Sequence, residues 1–423
     1  MKLYLESLGC DKNRVDAEKL LFELLEKYPG SSVTDEPSEA EIAIVNTCSF
    51  IGPAKEESIQ CILDLAQYKE TGKLEKLIVA GCLVERYKDE IRKELPEIDE
   101  ITSVKDYVKR LPHQMARVES GEKYSRYLKI AEGCDKYCSY CIIPRLRGHY
   151  RSIPKELVLE EARALVSEGA GELILVAQET TLYGTDLYKK KALAELLAEL
   201  SEIPNLQWIR ILYCYPEEIE PELIREMKRN PKVCHYLDLP IQHASDRILK
   251  RMNRRTRKEE LKEKIALLRK EMPDIALRTT IITGFPGETE EDFQEVLDFI
   301  SEMRFDRLGA FPYSQEEGTK AAEMEDQIPE KLKNQRLSQI MELQQNIAFR
   351  KVEEQIGRKL KVLVCGYDEE EQRVLCRSYM DAPDVDSYLY VFGEKKEVGS
   401  FLYAKVIDTE GYDLIGEWCE SAE

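Results

Sequence analysis

Apolar positions in residues 1–112 come in short runs separated by amphipathic stretches. KLYLESL, IAIVN, KLIVAG and ITSV read as strands. Residues 14–26, about 53–68 and about 84–94 carry apolar positions at helical spacing, and KDYVKRL reads as a last helix. Apolar runs bounded by helices predict a doubly wound parallel sheet. Residues 113–123 (HQMARVESGEK) are polar and aperiodic and read as a linker. The pattern then resumes with YLKIA, ELILVA, WIRILY, YLDLP, IALRTTIIT and RLGAFPY as strands. Helices are predicted near 155–168, 190–201, 217–228, 258–271 and 289–302, and a longer one over 328–353. Six βα units fall short of the eight that close a full barrel, so an open (β/α)6 partial barrel is expected. From Lys359 the helices stop. KLKVLVC, RVLCRS, YLYVF, FLYAKVID and YDLIGEW predict a small antiparallel β-barrel of oligonucleotide-binding type. The chain is therefore expected to be α/β overall, in three units: 1–115, 123–355 and 356–423.

Chemistry enters through cysteine placement. Of twelve cysteines, six follow strand-like runs: Cys10, Cys48 and Cys82 singly, and Cys134, Cys138 and Cys141 together in GCDKYCSYC. Loops past the C-terminal ends of parallel strands gather at one edge, where ligands bind. Spacings of 38 and 34 residues, about one βα unit each, bring the three single cysteines to that edge. No run of 18 apolar residues predicts a membrane helix, and MKLYLESLGC has no signal-peptide pattern, so a cytoplasmic location is expected. In reducing cytosol such a set points to metal or catalysis rather than disulfides. The clustered trio suits an iron–sulfur cluster with one iron left open. Two other readings stand beside it: zinc with His149 as fourth ligand, and an electron-transfer cluster completed by a remote cysteine. The single cysteines also have an ordinary reading as small buried hydrophobes. Cys61, Cys214, Cys234, Cys365, Cys376 and Cys419 share no such placement and read as packing residues.

Cys134-x3-Cys138-x-Tyr140-Cys141 after the first strand of a βα barrel resembles the radical S-adenosylmethionine enzymes. With the dispersed trio and the terminal small barrel, the whole chain resembles the methylthiotransferases of that superfamily, whose terminal domain is called TRAM. SLGCDKNRVDAE (7–18), NTCSFIGPAKEES (46–58), AGCLVERY (80–87), KIAEGCDKYCSYCIIPRLRG (129–148), YLDLPIQHAS (236–245), TTIITGFPGETEEDF (279–293), YSQEEGTKAA (313–322) and RSYMDAPDVD (377–386) are similar to the RimO-type branch. Asp11 stands where that branch usually has Pro, Ser387 where Gly is usual, and Thr280 where the superfamily has Gly.

The resemblance implies a methylthio group placed on the β-carbon of an aspartate in ribosomal protein twelve of the small subunit, free or in the assembled subunit. It implies two 4Fe–4S clusters, one on Cys134, Cys138 and Cys141 and an auxiliary one on Cys10, Cys48 and Cys82. S-adenosylmethionine would serve as methyl donor and radical source, with a low-potential electron donor and a sulfur donor as partners. Candidates for holding S-adenosylmethionine and substrate are Tyr140, Gln178, Glu179, Thr180, Gln242, His243, Gly284, Pro286 and Gly287, most of them at barrel-strand C-termini. The alternatives are a tRNA adenosine methylthiotransferase (MiaB type) and a non-enzymatic iron–sulfur carrier.

Charge bears on that choice. The chain carries a net −19, and residues 351–423 hold 9 Lys and Arg against 17 Asp and Glu. A barrel that grips RNA should be basic along its binding face. An acidic one suits a basic protein surface, so direct nucleic-acid binding is not expected.

Overall fold

The computed structural model describes residues 1–107, 116–118 and 120–420. The first unit alternates β1 (Lys2–Ser7), α1 (Asp11–Lys27), β2 (Ser32–Val33), β3 (Ile42–Thr47), α2 (Gly52–Ala66), α3 (Tyr68–Thr71), β4 (Lys76–Gly81), α4 (Cys82–Glu94), β5 (Glu100–Ser103) and α5 (Val104–Tyr107). Its sheet is parallel throughout, in the order β2-β1-β3-β4-β5. The central strand β3, IAIVNT, is buried along its whole length, as a strand covered by helices on both faces must be. In this order the winding reverses between β1 and β3, and ligands bind at that switch point, beyond the strand C-termini. The sheet has five strands where the apolar pattern showed four, because β2 is a two-residue exposed pairing. Residues 108–111 of the expected last helix lie outside the described residues, as do 113–115 and 119 of the linker and 421–423 at the chain's end.

The second unit runs β6 (Ser125–Lys129), β7 (Ala131–Glu132), α6 (Ile143–Arg147), β8 (Arg151–Ser152), α7 (Lys155–Ser167), β9 (Glu172–Val176), α8 (Leu193–Ser201), β10 (Trp208–Ile211), α9 (Pro221–Arg229), β11 (Val233–Gln242), α10 (Asp246–Arg251), α11 (Lys258–Glu271), β12 (Ala276–Thr283), α12 (Glu290–Met303), β13 (Arg307–Pro312) and α13 (Glu330–Glu353). Six parallel strands form an open sheet in the order β13-β12-β11-β10-β9-β6. One face, including Leu128, Leu173, Leu175, Ile209, Leu237 and Leu277, packs on the helices. Alternate positions such as Tyr127, Ile174, Val176, Trp208 and Tyr236 face the other way.

The last unit is a closed barrel of β14 (Lys359–Asp368), β15 (Arg373–Ser378), β16 (Leu389–Phe392), β18 (Asp413–Cys419) and β17 (Phe401–Glu410), in that order. Four of its five pairings are antiparallel, and β16 and β18 pair in parallel. Its core merges with the inner face of the open sheet. Glu172 at the start of β9 is buried between Arg210 (2.8 Å) and the barrel's Arg377 (2.6 Å). Arg307 pairs with Asp381 (2.6 Å), and the Tyr236 hydroxyl donates to Asp386 (2.8 Å). The segment RSYMDAPDVD thus docks the barrel against the N-terminal ends of the central strands, opposite the cysteine loop.

Candidate active site

Cys10 is the N-cap of α1, Cys48 follows β3, and Cys82 is the first residue of α4. Cys82 therefore belongs to a helix rather than to the loop expected before it. Cys10 and Cys48 flank the switch point of the sheet. A Cβ on Gly9 would stand 2.8 Å from the Cys48 Cβ, which shows how closely the two turns meet. Burial pushes the Cys48 thiol up to about 11, with Cys10 and Cys82 adding to the rise. Burial raises Cys82 as well, while Arg147 pulls it down. The positive end of α4 favours thiolate at Cys82.

The second trio lies between the small β7–β8 ladder and α6. Ser139 N–H donates to the Met252 carbonyl (2.9 Å) and its hydroxyl to the Arg251 carbonyl (2.8 Å). Asn253 Nδ2 donates to the Tyr137 carbonyl (2.9 Å), and Ala321 N–H to the Ser139 carbonyl (2.8 Å). The loop is thus held from both sides. Burial pushes the Cys134 thiol up to about 11 and also raises Cys141, with Cys138 contributing to both. Gly9, Gly81 and Gly133, each directly before a cysteine, have φ of +91°, +100° and +79°. At Gly81 a Cβ would stand 2.4 Å from the Thr47 carbonyl oxygen, and at Gly133 2.2 Å from that of His149. Only glycine fits there, so the Gly-Cys dipeptide marks these cysteine turns.

The two trios are tied by buried charge. Arg147 Nη1 donates to Asp16 (2.6 Å) and Glu132 (3.0 Å). Its Nη2 donates to the Asn13 side chain and lies 3.7 Å from the Cys82 sulfur. Lys129 pairs with the same two carboxylates, at 2.9 Å to Glu132. Burial would raise the Glu132 carboxyl, but Arg147 and then Lys129 outweigh it and hold it near 2. Past β10, the Tyr213 hydroxyl donates to Asp11 beside Cys10 (3.1 Å), and the Tyr215 hydroxyl lies 3.9 Å from the Cys138 sulfur.

The donor sets fit thiolate-ligated clusters. Each trio offers soft sulfur ligands whose joint ionisation is unfavourable without a cation among them. Among the described residues no three His, Cys, Asp or Glu side chains converge to hold one metal ion. A cube binds each thiolate through a different iron, so its ligands stand farther apart than those of a single ion. His149 turns its Nδ1 to Asp135 (2.7 Å) with its side chain 80% exposed, which does not suit it as a zinc ligand for the clustered trio.

The remaining candidates take different places. Gln178 accepts from Gly133 N–H (2.9 Å) and donates to Glu132 (3.1 Å), setting the start of the cysteine loop. Glu179 is buried; Thr181 N–H donates to its Oε1 (2.9 Å), and its Oε2 has no partner. Burial pushes this carboxyl up to about 8, against the pull of the Thr181 hydroxyl. Thr180 spends its hydroxyl on the Leu212 carbonyl. Gln242 ends β11 at a register shift with φ +71°. His243 Nε2 donates to Glu288 (3.2 Å) and Nδ1 accepts from Ser245 N–H (2.9 Å), so both nitrogens are spent inside the protein. Gly284 packs on Lys333, and Gly287 N–H donates to the Asp326 carbonyl (2.8 Å), so this turn lies under α13 and the segment before it. Pro286 accepts from Arg251 Nε (3.1 Å). Tyr140 packs with Ile248, Met252, Phe285 and Tyr313. Arg254 escaped the sequence reading. It is buried 4.2 Å over the Tyr215 ring, close enough to Cys138 and Tyr140 to feel their charge, and its Nε and Nη1 have no partner.

Comparison with known proteins places this site in a family. Residues 2–103 match the uncharacterized protein family UPF0004, 128–300 the Radical SAM superfamily and 356–419 the TRAM domain. A ribosomal protein uS12 methylthiotransferase RimO of Lachnoclostridium phytofermentans is 51% identical, over 98% of this chain and 99% of the relative. One of Desulfitobacterium hafniense is 46% identical, over 98% of each. The fold is similar to that of the radical S-adenosylmethionine methyltransferase TsrM from Kitasatospora setae, with a TM-score of 0.54, 12% identity and coverage of 73% of this chain and 72% of that one. The chain belongs to the RimO family of methylthiotransferases, enzymes of the radical S-adenosylmethionine superfamily.

Proposed function

We propose that this chain replaces a β-carbon hydrogen of an aspartate in ribosomal protein uS12 with a methylthio group. One 4Fe–4S cluster would be held by Cys134, Cys138 and Cys141 and a second by Cys10, Cys48 and Cys82. Residues 1–115, 123–355 and 356–423 would be its working units. When bound, the clusters and S-adenosylmethionine supply the radical, the methyl group and the site from which sulfur is transferred. The observation that supports this reading is the set of side chains that link the surroundings of the two trios. Arg147, six residues past Cys141, reaches the sulfur of Cys82, while Tyr213 and Tyr215 on one short segment touch the surroundings of Cys10 and Cys138.

The chain's own residues then do defined work. Gln178 and the 251–254 segment fix the cysteine loop. Arg254 and Glu179, with buried polar atoms lacking partners, would take the charged groups of S-adenosylmethionine. The buried Arg147–Asp16–Lys129–Glu132 cluster holds the two sheets in one register, so that a reacting carbon can sit near both sites.

The acidic terminal barrel supports a basic protein partner over RNA. No helix among the described residues is long and apolar enough to cross a membrane, and a ribosomal substrate agrees with a cytoplasmic location. A low-potential electron donor and a sulfur donor complete the proposal. The test is anaerobic reconstitution with S-adenosylmethionine and reductant. Ribosomal protein and tRNA are offered separately and followed by mass spectrometry. A methylthio gain on the protein's aspartate is expected; a gain on tRNA alone refutes the assignment.

A further inference from the structure

Lys12, two residues past Cys10, is a buried cation in the Cys10 turn. Its side chain is only 5% exposed, yet no carboxylate among the described residues lies within ion-pair reach of its ammonium. The ammonium instead rests 3.0 Å from the centre of the Tyr213 ring. A buried cation without an anion is costly, and a ring face offsets only part of that cost. The carboxylates that face Tyr213 are already engaged. Asp11 accepts from the Tyr213 hydroxyl (3.1 Å), and Asp238 accepts from Tyr213 N–H (3.2 Å) and Arg278 (3.2 Å). The position is informative too. Lys12 is two residues from Cys10, and the ring beneath it belongs to the segment whose Tyr215 reaches Cys138.

We propose that Lys12 binds the side-chain carboxylate of the target aspartate. The inference rests on the functional reading above and adds to it the group that selects Asp. The carboxylate is bonded directly to the β-carbon, so a cation that anchors it also fixes the C–H that reacts. The bound anion would in turn supply the partner Lys12 lacks. A neutral amide would leave the ammonium unpaired, which makes the site select Asp over Asn.

The test is a double-mutant cycle on the reconstituted enzyme. A short peptide carrying the target aspartate, and the same peptide with that residue changed to Asn, are bound to wild type and to Lys12→Met, with iron content matched. Wild type should prefer the Asp peptide by roughly tenfold to hundredfold, the range of one charge-assisted hydrogen bond. Lys12→Met should bind both peptides alike, about as weakly as wild type binds the Asn form, and Lys12→Arg should restore the preference. An unchanged preference in Lys12→Met overturns the proposal. So does a Lys12→Met chain that takes up less iron than wild type, since Lys12 would then serve the cluster. If wild type adds no methylthio group to uS12, the functional reading falls, and the cycle still reports whether Lys12 selects a carboxylate.

Discussion

Replacing Arg147 with Met should destabilise the protein at neutral pH and lessen the effect in acid. Arg147 is buried and is the largest of the attractions that hold the Glu132 carboxyl near 2, against a usual value of 4.5. At about 1.36 kcal/mol per unit, that difference corresponds to roughly 3 kcal/mol of stability at pH 7. The figure agrees with the ~3–5 kcal/mol lost when one partner of a buried ion pair is removed. Methionine fills much of the volume but leaves Asp16 and Glu132 to share Lys129. A carboxyl depressed in the folded state stabilises above its unfolded value and loses that contribution as pH falls toward its folded value. The deficit of the variant should therefore be full at pH 7 and shrink as pH drops below about 4.5. The assay is guanidinium unfolding of the cluster-free, reduced chain, with stability taken from the midpoint and slope. Adding Glu132→Gln should recover part of the loss, because the uncompensated charge is removed. A deficit under ~0.5 kcal/mol at pH 7, or one that grows on acidification, would refute the reasoning, since surface substitutions alone span that range.

This cluster also shows where sequence reading stops. The apolar runs gave all six strands of the central sheet and all five of the barrel, because burial on a pleated surface writes itself into consecutive residues. Elements without that signal were missed. β2 is two exposed residues, and α10 (DRILKR) is shorter than two helical turns. β11 runs on through Pro240 to Gln242, past the residue that should have ended it, at a point where its pairing shifts register. The six cysteines were legible because their residue type is rare and their spacing matches the βα repeat. Asp16 and Arg147 were not, because a charged side chain acquires meaning only from a partner, here 131 residues away. The same holds for Lys12 and Arg254: in sequence they are ordinary basic residues, and only burial without a counter-charge marks them. The Gly-Cys dipeptide is legible in the sequence, and its left-handed φ is dictated by how tightly the turns meet.

Three further outcomes are expected. Arg377→Met should loosen the terminal barrel. It removes the stronger of the two attractions that, against burial, hold Glu172 near 2, so protease should cut between α13 and β14 sooner while the central unit stays folded. Cys134→Ala and Cys48→Ala should each bind about four irons fewer than the eight of two cubes. Only Cys134→Ala should abolish reductive formation of 5′-deoxyadenosine, and loss in both variants would contradict separate roles for the trios. Glu179→Gln should stabilise the cluster-free chain increasingly as pH rises. Burial lifts this carboxyl from its usual 4.5 to about 8, so the folded protein keeps a proton that the unfolded chain releases between those values. Wild-type stability therefore falls across that window, and a neutral amide escapes the fall. The two stability curves should coincide near pH 4 and separate by about 3 kcal/mol by pH 7, from ~1.36 kcal/mol per unit over that part of the window. Thr181 N–H can still donate to the amide oxygen, which keeps the turn intact. Parallel curves from pH 4 to pH 8 would mean that water reaches Glu179 and that it ionises like a surface carboxylate, which would refute the burial argument.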